Sequence, residues 1–263
     1  MSRTMPLLNR HCVGDLRKHL RGAAGRAAPF LGTITAVATD ESVVALTFDD
    51  GPHPDSTPIV LDLLDRYRAK ATFFMLGERA AQYPELVNRA VEAGHAVATH
   101  GWEHRSLVLE RPPGRAGLRW QQSLIRRGSQ SLGYGGARLF RPPYGHQDLR
   151  AHLMARSVGV EVIGWNVVAG DWNNEAADVI AARVLADLSP GCVVLWHDAL
   201  ADAYDASYFD RSEAIAALDV VLSEASDRYR FVTIPELLRC GRARRRYFYP
   251  RPDADSLHAL HGP

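Results

Sequence analysis

The amino-acid sequence predicts an α/β fold whose strand–helix units suit a (β/α) barrel of about seven parallel strands, complete or incomplete. Three observations carry this prediction. Short β-branched, apolar runs alternate with segments whose apolar residues recur at helical spacing. About seven such units follow one another beyond Thr39, as a barrel requires. The residues suited to chemistry fall at the carboxyl ends of the predicted strands, the face on which parallel barrels build their sites. A doubly wound open sheet is the rival arrangement. No G-x-G-x-x-G follows the first strand, which counts against its dinucleotide-binding form.

Residues 42–48 (SVVALTF) are β-branched and apolar and form the first strand, buried on both faces. Residues 57–67 place Ile59, Leu61, Leu63, Leu64 and Tyr67 at helical intervals. Residues 71–76 (ATFFML) make a second strand, and residues 78–93 a helix that stops at Gly94. Residues 96–99 are the third strand. A loop rich in Pro, Gly and Arg at 111–117 leads into a helix ending at Leu132. Leu139 and Phe140 open a short strand that runs into Pro142-Pro143. Residues 161–168, 192–196 and 231–234 complete the strands, with helices expected at 147–157, 175–188 and 211–228.

Composition narrows the class. With 263 residues, 46% hydrophobic and 23% charged, the chain is ordinary globular protein rather than disordered, collagenous or disulfide-stapled. A formal net charge of +1 excludes a nucleic-acid clamp. The charge is uneven: through Arg26 there are six basic residues and one acid, and from Arg239 to Arg251 six arginines and no acid. Such runs are solvated ends or docking patches for an anionic partner. The expected division is therefore a partly ordered basic segment at 1–40, a catalytic domain at 41–238 and an Arg-rich tail at 239–263. Cys12, Cys192 and Cys240 cannot all pair, and none lies in a metal-type C-x-x-C. No run of about 18 apolar residues predicts a membrane span, and the basic amino end lacks the apolar stretch of a leader. A cytoplasmic location is expected unless a leader has been removed. Oligomeric state is not legible.

Asp49 and Asp50 stand together at the end of an apolar strand, where two unpaired carboxylates are costly to bury. Asp-Gly-Pro is ordinary turn chemistry, but the pair also suits one carboxylate on a metal and one acting as a base. His100 and His104, four residues apart, can aim two imidazoles at one ion. Two histidines and Asp50 make a site that leaves positions open for water and substrate. Zinc is the default for such a site, with Co2+, Ni2+ and Fe2+ also able to occupy it. His197-Asp198 ends a sixth strand, Arg141 to Gly145 (RPPYG) follows another, and Asp171-Trp172 comes shortly after a third. His53 adjoins the first of these motifs, as a solvated loop residue or a substrate contact. Trp102, Trp120, Trp165 and Trp196 offer flat faces that suit sugar rings, although Trp165 sits inside an apolar strand and suits the core.

The ordered set TFDDGP (Thr47 to Pro52), HGWEH (His100 to His104), RPPYG, DW (Asp171-Trp172) and LWH (Leu195 to His197) resembles the polysaccharide deacetylase family, carbohydrate esterase family 4. The match runs from about Val43 to Leu238. The resemblance implies a distorted (β/α) barrel that hydrolyses N-acetyl groups on amino sugars with one divalent metal ion. It implies that Asp50, His100 and His104 hold the metal, that Asp49 is the general base and that Arg141 orients it. His197 is implied as general acid with Asp171 as its partner. The Tyr144 backbone N–H is implied in oxyanion stabilisation, and Trp172 and Leu195 in lining the acetyl pocket. The implied partner is an N-acetylated saccharide.

Two positions depart from the family pattern. Gly101 stands where the family usually has Ser or Thr, and Val168 where it commonly has an acid three residues before Asp-Trp. Two alternatives stay open on sequence. One is a deacetylase of a small or carrier-linked amino sugar or another amide; the other is a carbohydrate-binding protein without turnover.

Overall fold

A computed structural model describes residues 32–173, 175–202 and 206–247. Strands β1 (Thr33–Ala38), β2 (Val43–Asp49), β3 (Ala71–Met75), β4 (Ala96–Thr99), β5 (Gly136–Phe140), β6 (Glu161–Val162), β7 (Val167–Val168), β8 (Val193–His197), β9 (Arg230–Phe231) and β10 (Arg242–Arg246) carry the fold. The main sheet has the order β6-β5-β4-β3-β2-β8-β7, all parallel, with β9 pairing the start of β2. Helices α1 (Thr57–Arg66), α2 (Gly77–Gln82), α3 (Pro84–Glu92), α4 (Gly114–Ser131), α5 (Leu149–Val158), α6 (Ala177–Asp187), α7 (Ser212–Ala225) and α8 (Ile234–Leu237) complete the described elements.

The sheet is a curled barrel rather than an open one, and the chain itself proves the closure. β6 and β7 lie at opposite ends of the strand order, yet only residues 163–166 separate them. Five residue steps reach no more than about 18 Å, so the two edges must approach each other. The expected single strand at 161–168 is thus two short strands on opposite edges. Gly164, Trp165 and Asn166 make the turn between them.

Strand periodicity decides which side chains reach the barrel interior. In β2, Val44, Leu46 and Phe48 join the core beneath the helices, while Val43 and Ala45 join the one inside the barrel. In β8, Val194 and Trp196 go outward and Val193 inward. Thr47, Asp49, Leu195 and His197 continue the inward phase. Full burial of side chains such as Phe48, Phe73 and Trp196 contributes about 1.5–3 kcal/mol each. A third cluster, including Leu124, Ile125, Phe140 and Val162, packs α4 and α5 against the β5–β6 edge.

Other expected elements differ for local reasons. The helix expected at 78–93 is two helices, because Pro84 cannot donate and displaces Tyr83 from helical geometry (φ −127°, ψ 58°). The strand expected at 231–234 ends at Phe231, since Thr233 and Glu236 form a capping box that starts α8. The described parts of both chain ends join the fold. β1 from the 1–40 segment and β10 from the 239–263 tail pair antiparallel, with Arg245 bonded to Glu161 at 2.7 Å. β1 also bridges to Ile163 and to Cys192, lying across the seam between the barrel edges. Residues 1–31 and 248–263 lie outside the described residues. Cys192 is a buried free thiol and Cys240 a half-buried one. No described helix is long and apolar enough to cross a membrane.

Candidate active site

The register of β2 against β8 sets Asp49 directly beside His197 and Thr47 beside Leu195. Asp50 follows at the strand end with φ 73°, so its side chain turns away from that of Asp49. His100 comes one residue after β4, with its N–H bonded to the Met75 carbonyl, and Arg141 comes one residue after β5, with its N–H bonded to Thr99. Parallel pairing therefore delivers five separated motifs to one barrel mouth, as the sequence predicts.

Asp50, His100 and His104 converge. His100 Nε2 lies 3.3 Å and His104 Nε2 3.4 Å from Asp50 Oδ1. All three ligand atoms lie within 4.8 Å of one another. Asp50 Oδ1 is buried and has no hydrogen-bond partner among the described residues, whereas Oδ2 accepts the Ala201 N–H at 2.9 Å. Each imidazole has its other nitrogen against an acceptor: His100 Nδ1 is 2.7 Å from the Arg141 carbonyl oxygen, and His104 Nδ1 is 2.7 Å from Asp202 Oδ2. Those acceptors hold the protons on Nδ1 and leave both Nε2 lone pairs facing the orphaned carboxylate oxygen. Ligands about 2.0–2.1 Å from a tetrahedral ion stand about 3.3–3.4 Å apart, so the donor set fits one divalent cation. Before an ion binds, burial works against the Asp50 charge, but protonated His104, contact with protonated His100 and the His197 charge outweigh it and hold its pKa well below the carboxylate range.

On one side of this trio, the Arg141 guanidinium is fully buried and donates to Asp49 Oδ1 at 2.7 Å, to Thr47 Oγ1 at 2.8 Å and to the Gly164 carbonyl at 2.9 Å. It lies 4.2 Å from the Phe74 ring centroid, inside the barrel. Arg141 therefore both orients Asp49 and ties the seam to β2. On the other side, His197 Nδ1 donates to Asp171 Oδ1 at 3.1 Å, and Asp171 Oδ2 accepts the His197 N–H at 3.0 Å. Arg211 grips the same carboxylate and also bonds the Asp171 carbonyl at 2.9 Å. Burial opposes the charged imidazole, but Asp171, helped by Asp50 and Asp49, raises the His197 pKa to about 9. Asp171 is held low by His197 and Arg211 against the effect of burial.

Tyr144 has φ 58°, and the turn's bonds, Gly145 N–H to Pro142 and His146 N–H to Pro143, do not use its own N–H. Its ring lies 4.2 Å from that of His104. Trp172 is 36% exposed and meets His197 edge-on at 5.3 Å, while Leu195 is buried in the wall below. The other tryptophans are not free platforms at the mouth. Trp196 is buried in the core, Trp165 packs near Arg141, and Trp102 and Trp120 stack with Arg127 and Arg105. His53 Nδ1 accepts the Asp55 N–H in the loop before α1.

The two departures leave the ligand set intact. Gly101 has φ 98°, and its N–H donates to Thr99 Oγ1 at 3.0 Å, so the hydroxyl that holds this loop comes from the residue before His100. Val168 lies in β7 beside Leu195, with Asp171 independently placed. The acidic, aromatic stretch 198–211 beyond His197 suits, on sequence, either a loop over the site or a solvated connection; the structure uses its Asp202 and Arg211 at the site, and sequence singles out neither of them, nor Arg79. Each acts across more than 20 residues of chain, and an isolated charged residue carries no periodic signal.

The chain matches the family model for polysaccharide deacetylase over residues 36–163. It is 36% identical over 197 residues to a peptidoglycan-N-acetylglucosamine deacetylase of Listeria monocytogenes, covering 74% of this chain but 38% of that protein. It is 35% identical over 205 residues to a chitooligosaccharide deacetylase of Sinorhizobium fredii, covering 76% of this chain and 93% of that one. A solved family 4 carbohydrate esterase from Streptomyces lividans, in complex with acetate, superposes with a TM-score of 0.65 at 30% identity, covering 79% of this chain and 99% of that one. Motifs, barrel and site geometry agree with these likenesses, and the chain belongs to the polysaccharide deacetylase family.

Proposed function

We propose that this protein hydrolyses N-acetyl groups from N-acetylhexosamine units of a poly- or oligosaccharide, releasing acetate and leaving a free amine. The observation that carries the reading is the placement of Asp49 and His197 on adjacent strands, flanking the Asp50–His100–His104 donor set. Relatives named as peptidoglycan-N-acetylglucosamine and chitooligosaccharide deacetylases support an amino sugar as substrate. Zinc is the ion we assign, with cobalt, nickel and ferrous iron compatible with the same donors.

A divalent ion held there supplies Lewis acidity for an amide carbonyl and a nucleophilic water. The protein supplies the rest. Asp49, one oxygen fixed by Arg141, takes the proton from the attacking water. The Tyr144 N–H donates to the oxygen on which negative charge develops. Asp171, the main cause that raises the His197 pKa, favours the form of that imidazole protonated on both nitrogens. With Nδ1–H committed to Asp171, His197 gives the Nε2 proton to the departing nitrogen, which leaves poorly without one. Trp172 and Leu195 exclude water from the acetyl methyl.

Purified protein is assayed for bound metal, then for acetate release from chitooligosaccharides, peptidoglycan fragments and small N-acetyl amides. Asp49→Asn is expected to keep the metal and lose about 10²–10⁴-fold in turnover. His100→Ala is expected to lose the metal. Turnover by Asp49→Asn equal to wild type removes the base assignment, and no acetate from any saccharide under any of the four metals removes the function.

A further inference from the structure

The segment after β8 reaches back over the barrel mouth and touches two of the three metal-ligand side chains. The Ala201 N–H occupies Asp50 Oδ2, turning Oδ1 toward the histidines. Asp202 Oδ2 faces His104 Nδ1 at 2.7 Å and also accepts the Tyr144 hydroxyl at 2.7 Å. Arg79 pins this segment to the same strand end, donating to the Asp50 carbonyl at 3.0 Å and the Leu200 carbonyl at 3.1 Å. His100 takes its orientation from a buried backbone carbonyl, which no substitution removes. His104 takes its orientation from a side chain on a loop, and that side chain is 43% exposed.

We propose that Asp202 is a positioning residue for the metal ion, the outer carboxylate that fixes the ring and tautomer of His104. A neutral imidazole carries its proton on one nitrogen, and a carboxylate acceptor at Nδ1 assigns it there, leaving the Nε2 pair for the ion. Without that acceptor, the ring can turn about its Cβ–Cγ bond or carry the proton on Nε2, and both changes remove a ligand. The carboxylate also makes the imidazole a stronger donor. Tyr144 contributes a second proton to the same oxygen, so the acceptor is held in place from the RPPYG turn as well. The inference rests on the metal reading above.

The test measures Zn2+ affinity of the demetallated full chain by chelator competition, for wild type, Asp202→Ala and Asp202→Asn. The visible absorption of the Co2+-loaded forms reports ligand geometry. Asp202→Ala is expected to bind Zn2+ about 10–100-fold more weakly and to change the Co2+ spectrum. Asp202→Asn keeps one oxygen able to accept both donors, and is expected to restore the wild-type Co2+ spectrum with an intermediate affinity. An ordinary surface ion pair predicts otherwise: a lower melting temperature of the metal-free alanine variant with unchanged Zn2+ affinity. That result overturns the proposal. Should the alanine variant not fold, full wild-type affinity in the isosteric asparagine variant overturns it too. Wild-type protein that binds none of Zn2+, Co2+ or Ni2+ overturns the metal reading itself, before any variant is compared.

Discussion

Arg141→Met removes the guanidinium at the centre of the barrel while keeping its aliphatic length. Its partners are a carboxylate, Asp49 Oδ1, at 2.7 Å and three neutral acceptors, Thr47 Oγ1, the Gly164 carbonyl and, at 3.4 Å, the Ile163 carbonyl. Stranding a buried carboxylate in this way costs about 3–5 kcal/mol. The Gly164 carbonyl, left without its donor, adds about 1–3 kcal/mol. Thr47 adds little, because its hydroxyl still donates to the Val194 carbonyl. The single change should therefore destabilise by about 4 kcal/mol or more, a large part of a typical domain's 5–15 kcal/mol. Urea unfolding followed by circular dichroism measures it, alongside Asp49→Leu and the Asp49→Leu/Arg141→Met pair. The double variant has no uncompensated charge, so it should be more stable than the sum of the single losses predicts, by about 2–3 kcal/mol. Additive losses, or a cost below about 1 kcal/mol for Arg141→Met, would refute the view that this ion pair and the barrel seam are one structural unit.

Three further outcomes follow from the same geometry. Asp171→Asn removes the charge that raises His197 to about 9 and leaves burial, which lowers it; since a general acid works protonated, the alkaline limb of kcat/KM should move to lower pH, toward the ordinary 6.5, and an unmoved limb denies His197 its role. His95 is buried with its pKa pushed down to about 4 by burial and by Lys70, and its Nδ1 accepts the Ala71 N–H. Because its folded pKa lies below the unfolded 6.5, stability is fully present above pH 6.5 and falls as pH drops toward 4, by up to about 3 kcal/mol; His95→Asn should flatten that part of the pH–stability curve, and an identical slope in both proteins assigns it elsewhere. Finally, a Cβ at Gly128 of α4 would fall well inside contact distance of the Gly101 carbonyl and Thr99 Oγ1. Gly128→Ala should then weaken Zn2+ binding through the displaced HGWEH loop as well as lower the melting temperature, and unchanged affinity at a lowered melting temperature would confine its effect to packing.

The site was legible where its determinants are local. Asp49 and Asp50 follow a β-branched, apolar run that reads directly as a buried strand, and His100 and His104 stand at a spacing that suits one ion. The helix break at Tyr83-Pro84 and the capping box at Thr233 and Glu236 were written locally too, yet the apolar pattern alone carried a helix through the one and a strand through the other. The pairing of β1 with β10 was not local. It joins residues more than 200 apart, and the arginines of β10 look like a solvated tail until Arg245 is seen on Glu161. Residues 161–168 misled for a related reason: a continuous apolar run does not reveal that its two halves face opposite edges of a closing barrel.

Runs of apolar residues, helical spacing and residue chemistry are properties of short stretches, so the chain alone pointed to a parallel α/β fold, a barrel ahead of an open sheet, with its chemistry-bearing residues at strand ends and a divalent ion they suit. Distances between stretches depend on how a curled sheet closes, which no local pattern encodes. Folding in three dimensions settled that Arg141 spans the barrel from Asp49 to the seam, that Arg211 backs Asp171, and that Asp202 comes from a loop nearly a hundred residues away to stand behind His104.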